Sequence, residues 1–329
     1  MNLEGCCATM VMALQKYLAP NASELHAQAE SRSSDHTVRA LTAPLIILAP
    51  MRSYSTLVAS MLGQHPEMYS LLETHLFLFD TMRRWWATFG GTVLSHGLLR
   101  AIAELVMGHQ NEATIALARL WILQRLNWST AEVFHLLAKQ VAPAVLIDKS
   151  PLVVNQSVHL ERALREFPNA KFLHLTRHPL GYGRSYLRFF ADLQVPVMAD
   201  PQMVWHRQHS TILRFLETVS SKKQLRVKGE ALLADPDQHL TRIAHWIGVR
   251  TDPVAIAKMK HPEKSPFARV GPRNAAGGGG DPSFFRDPKL HLHRSGGKSP
   301  TLNGSVPWRR DGVGFTAQVR ELAHHFGYR

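Results

Sequence analysis

Short apolar segments alternate with helical segments from residue 45 onward. Four of them are typical of strands: LIILA (45–49), AVLID (144–148), KFLHLT (171–176) and QLRVKG (224–229). Each is apolar along almost its whole length, and each is followed by a turn and a helical pattern. Such strands are buried on both faces, which is typical of a parallel sheet covered by helices. The pattern therefore predicts an α/β fold of three layers, with a central parallel sheet flanked by helices.

The other segments predict how the chain is divided. Residues 1–40 are mostly polar and predict an N-terminal extension, partly disordered or docked by one short helix. Residues 41–329 then form one domain. Within it, the apolar periodicity of 76–142 predicts a helical insert, and 261–312 is typical of a long loop with four glycines at 277–280. The end of the chain, TAQVRELAHHFGY, predicts an amphipathic helix.

Composition narrows the class of protein only a little. The 329 residues are 45% hydrophobic, which is enough for a sizeable core, and no apolar run is long enough to span a membrane. No basic segment precedes the apolar N-terminus, so no signal peptide is expected. Cys6 and Cys7 are adjacent and cannot build a disulfide framework, so a cytoplasmic location is expected. The net charge of +13 is compatible with binding to nucleic acid, to an anionic surface or to a polyanionic small ligand, and it does not distinguish these partners.

Between the first strand and the next helix, the chain carries a cation and three hydroxyls: Arg52, Ser53, Ser55 and Thr56. The first N–H groups of a helix have no partner within the helix, and the helix dipole adds positive potential there. Arginine pairs with phosphate or sulfate through two bonds. The segment therefore predicts an anion site, although a serine that only caps the helix is an equal alternative. The full Walker A pattern G-x-x-x-x-G-K-[ST] is absent.

The third strand has the same design at its carboxyl end. Arg177 follows it directly, Pro179 fits the first turn of a helix, and Ser185 lies eight residues after the arginine. Open α/β sheets bind ligands at this edge. A second anion beside the first would explain both residues. The alternative is an exposed arginine and a solvated serine.

These motifs resemble those of sulfotransferases that use 3′-phosphoadenosine 5′-phosphosulfate, including the bacterial and tyrosylprotein branches. The MRSYST segment resembles the family's first motif, and Arg177 with Ser185 resembles its second. The segments GQHPEMYSLLETHLF, DKSP and VKGEALLADPDQHLTRIAHWIGV add to a resemblance that runs from Leu41 to the C-terminus. Two departures stand in the first motif: Tyr54 replaces a usual Gly, and Met51 a frequent Pro. Because Tyr rarely adopts positive φ, we expect Tyr54 in an ordinary conformation with its ring toward the acceptor pocket.

The resemblance implies a P-loop-like fold, this nucleotide as co-substrate, and no metal. It implies that the 5′ group is held by Arg52, Ser53, Tyr54, Ser55, Thr56 and Leu57. It further implies that Arg177 and Ser185 bind the 3′-phosphate, and that Arg269 and Arg273 belong to the loop 261–312, which would cover the nucleotide. The helical insert 76–142 is then expected near the acceptor pocket. For catalysis it implies Glu73 or His75 as the base, with Lys149 and Arg52 neutralising charge at the transferred group. Asp148 is expected to hold loops by hydrogen bonds.

The sequence thus predicts a sulfotransferase acting on a hydroxyl of a small-molecule or carrier-bound acceptor, without nucleic acid or a transmembrane segment as partner. A P-loop kinase-like phosphotransferase is the first alternative; it would require a Walker lysine and a carboxylate for Mg²⁺. A nucleic-acid-binding protein is a weaker alternative, because no helix-turn-helix, zinc spacing or RNA-binding aromatic motif is present. The acceptor and the oligomeric state stay open at this level.

Overall fold

The computed structural model describes residues 43–192, 194, 196–197, 199–277, 279–292, 301–309 and 311–329. The extension expected over 1–40 lies outside these residues. The strands are β1 (Leu45–Leu48), β2 (Met68–Ser70), β3 (Val145–Asp148), β4 (Lys171–Thr176) and β5 (Gln224–Lys228). The four predicted strands are therefore present to within about a residue at each end. The fifth, β2, was missed, because three residues with a half-exposed tyrosine in the middle give no apolar run.

All five strands are parallel, in the order β2-β3-β1-β4-β5. This arrangement confirms the predicted three-layer α/β fold. β1 lies in the centre, and its residues are buried because helices cover both faces of the sheet. After β3 the chain crosses over β1 to form β4 on its other side. The carboxyl ends of β1 and β4 therefore lie next to each other at the point where the strand order reverses, which is where such sheets bind ligands.

The α-helices of the first half lie between β1 and β4. They are α1 (Ser55–Leu62), α2 (Met82–Phe89), α3 (His96–Leu105), α4 (Glu112–Leu123), α5 (Thr130–Val141) and α6 (Ser157–Glu166). Helices α2–α5 occupy the segment for which a helical insert was expected. Because β2 precedes them, they join β2 to β3. Their apolar faces, including the buried Trp85 and Trp121, share one core cluster with β1, β3 and β4.

The second half begins with two long helices that pack against each other. Its helices are α7 (Pro179–Asp192), α8 (Pro201–Glu217), α9 (Gly229–Ala234), α10 (Pro236–Ile247), α11 (Pro253–Met259), α12 (Pro282–Arg286) and α13 (Ala317–His325). The segment 261–312, expected as a loop, contains α12 and short 3-10 turns within its described part. The predicted C-terminal helix is present as α13, which packs on α8. Among the described helices, none is both long and apolar enough to cross a membrane.

Candidate functional site

The turn between β1 and α1 is tight, and two of its residues have left-handed backbone conformations. Arg52 has φ 67° and Tyr54 has φ 64°. The expectation that Tyr54 keeps an ordinary conformation is therefore wrong. Positive φ costs a non-glycine residue about 1 kcal/mol or more, so the surroundings must compensate for it. The turn directs the first N–H groups of α1 toward the carboxyl edge of the sheet, where a ligand can accept from them.

Three hydroxyls surround the start of α1, and all of them are buried: Ser53, Ser55 and Thr56. Ser53 Oγ has no hydrogen-bond partner within the part of the chain that the structure describes. The N-cap of α1 is Tyr54, without a side-chain cap, so the capping role that was the alternative for Ser53 or Ser55 is not observed. An unsatisfied buried hydroxyl is costly unless a ligand bonds to it. The turn is therefore suited to an oxyanion.

The two arginines predicted at the strand ends meet at the border of β1 and β4. Arg177 donates to the carbonyl of Arg52 at 2.6 Å, and Arg52 Nε donates to Ser185 Oγ at 3.2 Å. Arg177 Nε is buried and has no partner in the described chain. The structure thus brings Arg52, Arg177 and Ser185 together, as expected if they bind neighbouring anions of one ligand.

The ring of Tyr54 points away from Glu73, contrary to expectation. It lies under the guanidinium of Arg177, 4.2 Å from the ring centroid, and packs against Gly229. Gly229 begins α9 after β5, whereas Glu73 follows β2 at the opposite side of the sheet. A Cβ at position 229 would overlap the Tyr54 ring. The ring therefore fills the space left by this glycine, and its packing compensates for the strained backbone.

On the other side of the turn, Lys149 connects the anion site to a carboxylate. Lys149 follows β3 and is 1% exposed. Its Nζ donates to Thr56 Oγ1 at 3.0 Å and to Glu73 Oε1 at 2.5 Å. Glu73 Oε2 lies 3.7 Å from Nε2 of His75. The structure therefore groups Glu73, His75 and Lys149, three of the four residues predicted for catalysis, beside the oxyanion turn, to which the fourth, Arg52, belongs.

Burial controls the charge of two groups behind Glu73. It lowers the pKa of His75 to about 4, so the imidazole is neutral at neutral pH. Neither ring nitrogen of His75 has a hydrogen-bond partner in the described structure. Burial also raises the pKa of Asp148 to about 6, although hydrogen bonds from Thr74 and Ser150 oppose the shift. These bonds hold the loops after β2 and β3 together, the role expected of Asp148.

Part of the loop 261–312, which was expected to cover the nucleotide, crosses the site at residues that the sequence analysis did not single out. We call residues 279–286 the strap. The carbonyl of Gly279 accepts from the backbone N–H of Glu73 at 2.9 Å, and the N–H of Asp281 donates to Thr56 Oγ1 at 3.2 Å. The Asp281 carboxylate pairs with Arg52 and also caps α12 through the N–H of Ser283. Asp-Pro at 281–282 is a helix-start signal that could have revealed α12.

The two arginines expected in the covering loop lie elsewhere. Arg269 is exposed and lines a surface groove beside Arg100 and Gln110. Arg273 is exposed in a short 3-10 turn, residues 273–275, that packs against α3 and α4. The structure therefore does not bring these two residues to the oxyanion turn, and the strap lies there instead.

The side chains grouped at this site can bind an anion and accept a proton. The site offers N–H and hydroxyl donors, two arginines and a lysine to an anion, and a carboxylate next to that lysine. Within the described residues, no group of three or more His, Cys, Asp or Glu is placed to hold a metal ion. Its parts suit transfer of an anionic group to a nucleophile whose proton the carboxylate accepts.

Comparison with known proteins agrees with this group-transfer chemistry. Residues 44–253 match the model of a family described as "Sulfotransferase family". The sulfotransferase domain from the curacin biosynthetic pathway is 25% identical, has a TM-score of 0.72, and the match covers 88% of this chain and 98% of that one. The sulfotransferase domain from the Synechococcus PCC 7002 olefin synthase is 28% identical and has a TM-score of 0.70. That match covers 88% of this chain and 96% of the other. The search among curated proteins found no significant match.

Proposed function

The chain belongs to the sulfotransferase family and is a sulfotransferase enzyme, and we propose that it moves a sulfuryl group from 3′-phosphoadenosine 5′-phosphosulfate to an acceptor hydroxyl, with Glu73 as the base. One observation carries the proposal. Lys149 bonds both to Thr56 in the oxyanion turn and to Glu73, so the sulfuryl-binding groups and the base lie in direct contact.

The residues of the turn fit the 5′ end of this nucleotide. Ser53 Oγ is a buried hydroxyl that lacks a partner in the described chain, and the N–H groups of Ser55, Thr56 and Leu57 begin the helix. Arg52 brings a charged donor to the same place. These groups would hold the oxygens of a phosphosulfate. Fixed donors of this kind stabilise charge that develops during transfer, because they need no reorganisation.

Arg177 and Ser185 would hold the 3′-phosphate. The Nε of Arg177 is buried and has no partner in the described residues, and Ser185 can donate its hydroxyl proton while it accepts from Arg52. Stacking on Tyr54 fixes the plane of the Arg177 guanidinium. Binding at both ends would orient the nucleotide across the carboxyl ends of β1 and β4. Arg269 and Arg273 are not part of this proposal, because they lie beside α3 and α4.

When bound, the nucleotide supplies an activated sulfuryl group, whose S–O bond to the 5′-phosphate breaks as the acceptor oxygen bonds to sulfur. Glu73 takes the proton of the acceptor hydroxyl. Lys149 and Arg52 oppose the negative charge that develops on the bridging oxygen. His75, neutral because it is buried, lies behind Glu73 and brings no positive charge to it.

The acceptor is proposed as a biosynthetic alcohol or phenol, free or attached to a carrier. Support comes from the two similar structures, which are domains from the curacin biosynthetic pathway and from an olefin synthase. A cytoplasmic location belongs to the same proposal, on the ground of the adjacent Cys6 and Cys7.

The phosphotransferase alternative has less support. A Gly-Lys-Ser triplet does occur at 297–299, but Leu292 stands where the Walker pattern requires its first glycine. The triplet also follows none of the five strands. Its residues lie outside the described structure, so no contact of theirs supports the alternative.

The test begins with calorimetry of adenosine 3′,5′-bisphosphate, the nucleotide product, against adenosine 5′-monophosphate. We expect the bisphosphate to bind at least about tenfold more tightly, because only it engages Arg177. Transfer of labelled sulfate to a panel of alcohols and phenols should proceed with a metal chelator present. Equal binding of the two nucleotides, or phosphate transfer from ATP that requires Mg²⁺, would contradict the proposal.

A further inference from the structure

A pocket of about 380 Å³ opens beside the oxyanion turn, on the side of α7 and the strap. Its walls include Arg52, Arg188, Phe189, Asp192 and, from the strap, Pro282 and Arg286. Its volume is in the range of small-ligand sites. The roles proposed above use only Arg52 of these residues. Three guanidinium groups in one pocket indicate a ligand that carries negative charge.

Arg52 forms the boundary between this pocket and the sulfuryl-binding turn. Its Nε bonds to Ser185, while its guanidinium lies 5.2 Å from the centroid of the Phe189 ring. Phe189 lies four residues after Ser185 on α7, so both are on the same face of that helix. A molecule in the pocket would therefore contact Arg52, which the proposed function assigns to the phosphosulfate. It would also contact an apolar ring.

Two of the three arginines are free to bind a ligand. Arg52 is paired with Asp281 at 2.7 Å. Arg188 and Arg286 are exposed, and neither forms an ion pair or hydrogen bond within the described residues. Asp192, the single acidic residue of the lining, lies one turn after Arg188 and does not pair with it. The excess of positive charge is therefore available.

From this arrangement we propose that Arg188 and Arg286 select an acceptor that carries an oxyanion, a carboxylate or a phosphate, on an apolar stem. The oxyanion pairs with the two guanidinium groups, Phe189 packs against the stem, and the hydroxyl reaches the sulfuryl group beyond Arg52. The inference rests on the proposed function, because it assigns a specificity site for the acceptor of that reaction. It concerns binding only and adds no chemical step.

The test uses acceptors that differ only at one end: ω-hydroxyoctyl phosphate, ω-hydroxyoctanoate and the neutral octanediol. Their binding to enzyme saturated with the bisphosphate product is measured by calorimetry, and kcat/KM is measured in the transfer assay. Each is compared between the wild type and the Arg188→Gln/Arg286→Gln double variant. Arg214→Gln is the matched control, since Arg214 is an exposed arginine on α8 outside the pocket.

We expect the wild type to prefer a charged acceptor over the diol by about tenfold or more, and the double variant to lose that preference. The diol and the affinity for the bisphosphate should not change, and Arg214→Gln should behave like the wild type. The phosphate and the carboxylate compounds distinguish the two possible head groups. Equal use of all three acceptors by the wild type would overturn the inference.

Two further results are decisive. If the double variant binds the bisphosphate about tenfold more weakly, the pocket belongs to the nucleotide and the inference is wrong, while the proposed function stands. If the wild type does not bind the bisphosphate at all, the proposed function fails, and the assignment of an acceptor site fails with it.

Discussion

The carboxylate of Asp281 lies 2.7 Å from the guanidinium of Arg52, and their side chains are 28% and 11% exposed, respectively. One comes from the strap and the other from the turn after β1, more than 200 positions apart in the sequence. The aspartate therefore neutralises the arginine that we assign to the phosphosulfate. An anionic nucleotide has to compete with this internal carboxylate for the same cation.

Asp281→Asn should bind adenosine 3′,5′-bisphosphate more tightly than the wild type. Asparagine caps a helix as well as aspartate does, so α12 should persist, while the charge that competes for Arg52 is gone. A charge-assisted bond is worth about 1.5–3 kcal/mol, and partial exposure reduces this, so we expect about three- to thirtyfold higher affinity. Calorimetry at two salt concentrations measures it.

Asp287→Asn is the control, because Asp287 is exposed, directly follows the strap and pairs with His291 instead of Arg52. It should leave nucleotide affinity unchanged. Weaker binding by Asp281→Asn would mean that Asp281 holds Arg52 in its binding position, and would contradict competition between the two anions.

Glu73→Gln should lower kcat by about 10²–10⁴-fold and leave the affinity for the bisphosphate within about threefold. Glutamine keeps the shape and can still accept from Lys149, but it cannot take the acceptor proton. Single-turnover transfer and calorimetry separate the two quantities. His75→Asn is the matched variant, and we expect it to retain most of the rate. The reverse result, a fast Glu73→Gln and a slow His75→Asn, would make His75 the base.

The contact between Tyr54 and Gly229 should appear as a difference between two backgrounds in the cost of Gly229→Ala. Gly229→Ala places a Cβ against the Tyr54 ring and should lower the free energy of unfolding by about 1–3 kcal/mol. In a Tyr54→Gly background the ring is absent, and the cost of the same substitution should fall below about 1 kcal/mol, because only the backbone carbonyl oxygen of Thr176, 3.3 Å from the added Cβ, still crowds it. Urea unfolding of the four proteins measures both values. An equal cost in the two backgrounds would exclude the contact.

Stability should decrease as the pH falls from 7 to 5. Burial lowers the pKa of His75 to about 4 and of His209 to about 3, and that of His174 well below 6.5. Below pH 6.5 the unfolded chain therefore binds protons that the folded protein does not, and each such histidine costs about 1.4 kcal/mol per pH unit. Burial raises the pKa of Asp148 to about 6, so below pH 6 the folded protein binds a proton there, and this offsets part of the loss caused by the histidines.

For these four groups, the net loss between pH 7 and 5 should be about 4–5 kcal/mol in urea unfolding. His75→Asn should reduce the slope, because one of the titrating groups is removed. His291→Gln, at an exposed position, should not change it. A constant free energy of unfolding over this pH range would contradict neutral, buried histidines.

Four of the strands, and the residues that directly follow them, could be predicted from the sequence. The strands β1, β3, β4 and β5 follow from apolar runs, because a strand covered on both faces has no polar side. The grouping of Arg52 with Arg177 follows from positions just after parallel strands. Their carboxyl ends meet at one edge whatever the loops between them do. Glu73 was assigned only from the resemblance, because β2, the strand before it, gives no apolar run.

Features that depend on contacts distant in the sequence could not be predicted. The conformation of Tyr54 was misjudged, because its cost is offset by space at Gly229, 175 positions later. The covering role was given to Arg269 and Arg273, because glycines and arginines mark a flexible basic loop without showing where it passes. Asp281 was missed because an aspartate before a helix indicates only a cap. Nothing in the sequence shows that its carboxylate also pairs with Arg52.

The strap contacts both halves of the site, Thr56 through Asp281 and the Glu73 segment through Gly279. A displacement that frees Arg52 for the nucleotide therefore also disturbs the backbone that positions the base. Steady-state kinetics should then be ordered, with the nucleotide adding first and the bisphosphate leaving last. Product inhibition by the bisphosphate would be competitive toward the sulfate donor and noncompetitive toward the acceptor. The exit of the spent nucleotide, which again requires the strap to move, would limit turnover with good acceptors.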